Sequence, residues 1–193
     1  MQKSRIFIAI NLPEDIKKKL AGYQRKWPKL PIRWTKTENL HITLEFIGYV
    51  DDGEILEICQ AAKKAASKHN PFLIKLTDIC YGPLNKKPPK MVWAIGEESR
   101  ELASLRNDLE KSLSDFPGNS QSLSVNDKER KFSPHITLGR IRQWEWRRIE
   151  PEERPAVEES VSLTFEARSI EVMESRLKRG GSEYIILESA RLG

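Results

Sequence analysis

Alternating and helical patterns of apolar residues divide the chain into short strands and three amphipathic helices. Helical spacing of apolar side chains predicts helices over residues 13–27, between Gly53 and Asn70, and over 99–113. Segments rich in β-branched and aromatic residues with period-two alternation predict strands over residues 5–10, 32–35, 39–47, 72–81, 91–95, 135–142, 161–175 and 184–192.

Two further segments carry no clear period. Residues 116–131 are polar and rich in Gly, Asn and Ser, which predicts a long loop. Residues 144–159 are ambiguous, and we expect a short helix that Pro151 and Pro155 interrupt.

One tetrapeptide, His-Ile-Thr-Leu, occurs twice, at residues 41–44 and 135–138, and each copy follows a strand and a helix. This weak internal repeat predicts two matching halves related by an approximate two-fold axis. Hairpin signals, such as Arg179-Gly180-Gly181, favour antiparallel pairing. We therefore predict an α+β fold: two pseudo-symmetric lobes of antiparallel sheet with outer helices and an active-site groove between them, in one domain spanning 1–193.

Each tetrapeptide places a histidine and a threonine on one face of its strand. Residues i and i+2 share a face, so His41 pairs with Thr43 and His135 with Thr137, while Ile and Leu anchor the opposite face. Two imidazoles on either side of a substrate supply a general base and a general acid, and threonine hydroxyls can hold phosphate oxygens. A single copy would indicate no more than a core hydrogen bond, but duplication in matching contexts favours displacement at phosphorus without a metal.

A zinc site is the competing interpretation of the histidines. A catalytic zinc usually has three protein ligands, and Glu45, on the same predicted strand face as His41, is the one candidate for the third. His69 falls near the end of a charged helix, where we expect it to be exposed and unrelated. Since the chain has no His-Glu-x-x-His motif and no paired cysteines, we expect no metal and no cofactor.

Composition limits the surroundings and the partners. The chain carries 33 Lys plus Arg against 28 Asp plus Glu, a net charge of +5, which is compatible with nucleic-acid or phosphate ligands. Residues 140–148 interleave arginines with two tryptophans, a mixture that either binds RNA or is partly packed. No apolar run is long enough to span a membrane, and Cys59 and Cys80 are interpreted as reduced thiols of a cytoplasmic protein, although the sequence leaves a disulfide open.

With these motifs the chain resembles the two-histidine phosphoesterases, specifically the RNA 2′,3′-cyclic phosphodiesterases once described as 2′-5′ RNA ligases. The similarity covers nearly the whole chain and is carried by residues 5–10, by 33–34 with 38–48, by 132–140, and by a C-terminal hairpin with Glu174, Ser175 and Tyr184. Either tetrapeptide alone would be unspecific, whereas the combination is specific.

The resemblance implies hydrolysis of a 2′,3′-cyclic phosphate at an RNA 3′ end, leaving a 2′-phosphate. It implies that His41 is the proton donor, that His135 is the proton acceptor, and that Thr43, Thr137 and Arg140 bind the phosphate. Strand parity places Arg140 on the face opposite His135, so this role requires a bulge, a twist or a long reach. The implied partner is RNA with a cyclic phosphate end, such as a tRNA fragment, and we expect a monomer.

Glu45 departs from the family pattern, in which this position is often lysine. Our hypothesis is that its carboxylate favours the protonated form of His41. Two alternative functions remain open from the sequence: reversible 2′-5′ RNA ligation at the same site, and non-catalytic binding of RNA or a nucleotide.

Overall fold

The computed structural model describes residues 3–84, 87–114, 132–179 and 181–193. The predicted loop at 116–131 and Gly180 of the predicted turn lie outside this described part. The helices are α1 (Glu14–Gln24), α2 (Asp52–Ala66), α3 (Arg100–Leu113) and α4 (Gln143–Trp146). The strands are β1 (Ser4–Asn11), β2 (Ile32–Trp34), β3 (His41–Val50), β4 (Phe72–Gly82), β5 (Met91–Gly96), β6 (His135–Ile141), β7 (Glu158–Ala167), β8 (Ser169–Lys178) and β9 (Gly181–Arg191).

All of these strands join one antiparallel sheet in the order β7-β4-β5-β6-β3-β1-β8-β9, with β2 added beside β6. The two strands that carry the tetrapeptide lie next to each other at the centre. On the outer side of each lies the strand that begins its predicted strand–helix–strand unit: β1 lies beside β3, and β5 lies beside β6. The two units therefore occupy equivalent positions on either side of the centre of the sheet. The predicted α+β fold with two pseudo-symmetric halves is confirmed.

The sheet is strongly curled. Arg168 alone separates β7, at one edge, from β8, which is next to the opposite edge. One residue spans only about 3.3 to 3.6 Å. The two half-sheets must therefore curve towards each other until the end of β7 meets the start of β8. This break also makes our prediction of a single strand over 161–175 wrong.

The helices pack on one face of the sheet, and the other face is left for the groove. On β1, Ile6, Ile8 and Ile10 belong to the main core together with residues of α1, α2 and α3. Phe7 and Ala9 point the other way and form a separate small cluster with Met173 and Tyr184. We call the face that carries Phe7 and Ala9, and its continuation across β3 and β6, the groove face.

Local sequence signals explain where the helices begin. Asp51 caps α2 in a reciprocal capping box with Glu54. The Ser99 hydroxyl accepts a hydrogen bond from the Leu102 amide at the start of α3. Helix α1 follows Pro13 as predicted but ends at Gln24, three residues before the predicted end. No helix in the described ranges is long and apolar enough to cross a membrane.

The ambiguous stretch after β6 proves to contain several short elements. Helix α4 is followed by a 3-10 turn at Pro151–Glu153, and β7 then begins at Glu158. Trp146 is buried in the core, whereas Trp144 is 67% exposed, with the Arg148 guanidinium 3.9 Å from the centre of its ring. Only one of the two tryptophans predicted as base-stacking candidates is therefore accessible.

Candidate active site

The two His-x-Thr units meet at the centre of the sheet. Ile42 of β3 and Ile136 of β6 are cross-strand partners, and both are fully buried on the core face. Since neighbouring side chains along a strand alternate, His41 and His135 leave the sheet on the groove face, one from each half. The structure thus brings the two predicted histidines together, with Thr43 beside one of them and Thr137 beside the other.

Both imidazoles are oriented in the same way by the backbone. The Nδ1 atom of His41 lies 2.7 Å from the Asn39 carbonyl oxygen, and the Nδ1 atom of His135 lies 2.9 Å from the Ser133 carbonyl oxygen. A carbonyl can only accept, so each Nδ1 carries a hydrogen and donates it. Each Nε2 is therefore the atom that loses or gains a proton, which is the tautomer that proton transfer in the groove requires.

The two threonines differ in their present contacts. The Thr43 hydroxyl lies 3.0 Å from the Nε2 atom of His41, to which it donates a hydrogen bond when the imidazole is neutral. Within the described part of the chain, the Thr137 hydroxyl and the Nε2 atom of His135 have no hydrogen-bond partner. Both groups of the second unit are thus available to a ligand.

Aromatic rings hold the two histidines in place. His135 stacks on Trp93, with ring centres 3.8 Å apart and planes inclined by 26°. His41 lies between Phe7, at 5.1 Å, and Tyr184, which meets it edge-on at 5.2 Å. The rings fix the orientation of each imidazole and remove part of its contact with water.

A β-bulge in β3 turns Glu45 away from His41. Thr43 faces Ala9 of β1, but Glu45 faces Ile8, so β3 has one residue more than β1 over this interval. Glu45 is therefore on the core face, where it is 8% exposed and lies 3.8 Å from the Arg106 guanidinium of α3. The prediction that Glu45 shares the face of His41 is wrong, and with it the hypothesis that this carboxylate tunes His41 or serves as a third zinc ligand.

A second bulge, at the equivalent place in β6, turns Arg140 towards His135. Thr137 faces Trp93 of β5 and Arg140 faces Met91, so three steps along β6 match two along β5. Arg140 consequently shares the groove face with Thr137. This is the bulge that its predicted role requires, and the Nη1 atom of Arg140 reaches to 3.6 Å from the Met91 sulfur.

The bulges make the two halves chemically unequal. Phe46 and Arg140 occupy equivalent positions, each five residues after its histidine, and both side chains are exposed on the groove face. One end of the groove thus presents an aromatic ring, 57% exposed, and the other end presents a guanidinium. Gly139 is the residue of β6 that is equivalent to Glu45 of β3, since each lies four residues after its histidine. A Cβ at Gly139 would lie 2.7 Å from the Ile32 side chain of β2, so there is no space for a side chain at this position.

Burial makes both histidines weaker bases. Desolvation lowers the pKa of His41 below its ordinary value of 6.5; the charges of Lys17 and His135 lower it further, while the hydrogen bond to Asn39 opposes the shift. Desolvation likewise lowers the pKa of His135, against the opposing hydrogen bond to Ser133. Both imidazoles of the free protein are therefore largely neutral at pH 7.

Lys17 is the buried cation next to this site. It lies on α1 and is 4% exposed, with its Nζ atom 3.2 Å from Glu14 Oε1 and 3.4 Å from the Glu38 carbonyl oxygen. The latter contact supports the short 3-10 turn whose next carbonyl, that of Asn39, accepts from His41. The Asn39 side chain in turn donates to the Ser182 carbonyl oxygen at 2.7 Å.

His69, the third histidine, is not part of the groove. Its side chain is 11% exposed, and its Nε2 atom lies 3.0 Å from Asp108 Oδ2, so that it joins the end of α2 to α3. Our expectation that it is exposed is wrong. Among the described residues no group of three or more His, Cys, Asp or Glu side chains could hold a metal ion.

Comparison with known proteins places the chain in a family. The model of LigT-like phosphoesterases matches residues 10–93. A Thermotoga maritima protein named RNA 2′,3′-cyclic phosphodiesterase is 31% identical over 81% of this chain and 82% of its own length. The chain belongs to the LigT-like phosphoesterase family. A Methanocaldococcus jannaschii protein of the same name is 28% identical over 95% of this chain and 98% of its own length.

Solved structures share the fold of this chain. A crystal structure of a Thermus thermophilus protein superimposes with a TM-score of 0.81 at 25% identity, over 97% of each chain. Escherichia coli LigT complexed with 3′-AMP shares the fold, with a TM-score of 0.75 and 24% identity over 98% of each chain. The family model and the relatives named above confirm the predicted resemblance to two-histidine phosphoesterases.

Sequence reasoning missed the residues that surround the histidines. Phe7 and Trp93 could have been found, because they alternate with core residues of β1 and β5 and must lie on the opposite face. Lys17 gave no signal, because a lysine on an amphipathic helix is normally solvated. The contact of Tyr184 with the His41 ring could not be predicted from local patterns, because the two residues are more than 100 residues apart in the chain.

Proposed function

We propose that this protein is an enzyme that hydrolyses 2′,3′-cyclic phosphate ends of RNA to 2′-phosphomonoesters, without a metal ion. The observation that carries the proposal is the pair of histidines on one face of the central strands, each with Nδ1–H bound to a carbonyl and Nε2 directed to the groove. Its membership of the LigT-like family, with relatives named for this activity, supports the same conclusion.

In the proposed reaction His135 is the proton acceptor and His41 the proton donor. The Nε2 atom of His135 takes a proton from water as the water oxygen attacks phosphorus. The bond between phosphorus and the 3′ oxygen breaks, and the Nε2–H of protonated His41 passes its proton to that oxygen. The product carries a 2′-phosphate and a free 3′ hydroxyl, and exchange with solvent restores both histidines.

The charge that builds on the phosphate is stabilised by Thr43, Thr137 and Arg140. The Thr137 hydroxyl can donate directly to a non-bridging oxygen, and Thr43 can do so by turning away from His41. Arg140 adds a positive charge on the same face. The exposed ring of Phe46 at the other end supports a nucleotide substrate, because bases stack on aromatic side chains.

The test is incubation of an RNA that ends in a 2′,3′-cyclic phosphate, with and without EDTA. We expect 2′-phosphate product at the same rate in both. No hydrolysis, or loss of hydrolysis with EDTA and recovery with zinc, would refute the proposal. Adding an RNA with a 5′ hydroxyl to the same reaction tests 2′-5′ joining at this site, which would appear as a longer product.

We propose further that residues 1–193 act as one two-lobed catalytic domain, as a monomer in the cytoplasm, on ends such as those of tRNA fragments. Two free cysteines, Cys59 of α2 and Cys80 of β4, support a reducing compartment. Light scattering of the purified protein tests the monomer, and sequencing of cellular RNAs that carry cyclic phosphate ends, with and without the protein, tests the substrate.

A further inference from the structure

Two arginines face each other across the strands β2 and β6. Arg33 and Arg140 are cross-strand partners, so their side chains leave the same face of the sheet, and both are exposed. Like charges directly opposite each other in an antiparallel pair destabilise it. An anion bound between the two guanidinium groups would turn this repulsion into attraction, because each group would then lie next to a negative charge.

Neither arginine is neutralised by a carboxylate in the described part of the chain. Arg33 has no hydrogen bond or ion pair there, and the contact of Arg140 is to the Met91 sulfur, a weak acceptor. The two arginines on the groove face are thus available to a ligand.

Their place in the groove indicates which anion they would bind. Arg140 is three residues beyond Thr137 on the same face of β6, and because the bulge makes these three steps match two steps of β5, the separation along the strand is roughly 7 Å. A phosphate held between the histidines lies close to Thr137. Strand β2 lies along the same edge of β6 as β3, and Arg33 directly faces Arg140, so both arginines lie at one level beyond Thr137. The pair therefore lies beyond the reacting phosphate, where a second phosphate of the same RNA strand would pass.

We propose that Arg33, together with Arg140, binds the phosphodiester that precedes the terminal nucleotide, so that the enzyme prefers oligonucleotide ends over cyclic mononucleotides. This inference rests on the proposed function. Guanidinium groups suit the task, because their planar fork of donors matches phosphate oxygens in two-pronged contacts. In this proposal Arg140 contacts both the reacting phosphate and the preceding phosphodiester, and Arg33, directly opposite it, contacts the preceding phosphodiester.

The test compares Arg33→Met with the native protein on two substrates, 2′,3′-cyclic AMP and a short RNA with a 2′,3′-cyclic phosphate end. We expect kcat/KM for the RNA to fall about tenfold, the loss of one charge-assisted contact, and kcat/KM for cyclic AMP to stay within about twofold. The slope of log kcat/KM for the RNA against log salt concentration should become shallower by about 0.7. Arg100→Met, on α3 at the opposite face of the sheet, is the control and should change none of these values.

Equal losses on both substrates would overturn the proposal, because Arg33 would then act on the catalytic centre or the fold. No loss on the RNA would overturn it as well. Arg33→Glu separates binding from stability: removing the repulsion should keep or raise the melting temperature while RNA turnover falls further. Should the native protein hydrolyse neither substrate, the proposed function fails, but fluorescence anisotropy with an RNA ending in a 2′-phosphate still decides whether Arg33→Met weakens binding.

Discussion

Gly82 provides the space in which the ring of Trp93 lies, and we predict that Gly82→Ala impairs catalysis through His135. A Cβ at this position would lie 2.2 Å from Cδ2 of Trp93 and 2.6 Å from Cε2, where an ordinary contact begins at 3.4 Å. The indole must therefore move by about 1.2 Å. Because His135 stacks on this ring at 3.8 Å, its imidazole has to move as well.

The size of the effect follows from this displacement. Forcing an extra methyl group into a packed site costs about 1 to 3 kcal/mol. For a chain of this size, that lowers the melting temperature by about 2 to 12 °C. A catalytic group displaced by about 1 Å loses up to about a hundredfold in rate, and the loss should appear in kcat more than in KM, since no binding group is removed.

The assay is cyclic phosphate hydrolysis together with thermal unfolding, and Gly22→Ala is the matched control. A Cβ at Gly22, inside helix α1, meets nothing within 4 Å, so alanine there should stabilise the fold by about 0.5 to 1 kcal/mol and leave the rate unchanged. Adding Trp93→Phe to Gly82→Ala should restore part of kcat, because the smaller ring leaves room for the methyl group. A Gly82→Ala variant with native kcat would refute the positioning of His135 by Trp93.

Three further predictions concern the histidines and Glu45. His41→Ala and His135→Ala should each lose about a hundred- to ten-thousand-fold in kcat/KM while remaining folded by circular dichroism; retention of rate in either would exclude that histidine from proton transfer. Burial lowers the pKa of both histidines below 6.5, so kcat/KM should peak on the acid side of that value. The free energy of unfolding, measured with urea, should fall as the pH drops below 6.5, because the unfolded chain binds protons before the folded protein does. A free energy of unfolding that stays constant between pH 7 and 5 would contradict this. Glu45→Gln should leave the pH–rate profile unchanged. It should lower the melting temperature by about 2 to 4 °C, because the ion pair with Arg106, which stabilises the fold by about 1 kcal/mol, is lost. A shifted pH–rate profile would show that the carboxylate does act on His41.

The sequence contains enough information to place the two histidines, but not enough to place the charges around them. Strand parity puts His41 with Thr43, and His135 with Thr137, on one face, and the structure agrees. Parity fails at the next residues because each strand has a bulge, and one extra residue reverses every later side chain. In β6, Gly139 indicates a bulge, because glycine within a strand often marks one. In β3, no residue near Glu45 gives a comparable signal.

The break at Arg168 was equally beyond the reach of local patterns. Both β7 and β8 have strand-forming sequences, so alternation continues through the residue between them. The chain has to break there because β7 pairs with β4 and β8 pairs with β1, in opposite halves of the sheet. Pairing of this kind depends on residues far apart in the chain, so a secondary-structure prediction from about ten neighbouring residues cannot detect it.

The order of strands also has a consequence for synthesis of the protein. The half-sheet around His41 consists of β3 and β1 from the start of the chain and of β8 and β9, which follow more than 100 residues later. Tyr184 of β9 contacts the His41 ring, and Asn39 donates to Ser182. A nascent chain on the ribosome can pair β5 with β6 early, but the surroundings of His41 are complete only after β9 has emerged. The slow step of folding should therefore be the docking of the β8–β9 hairpin onto β1.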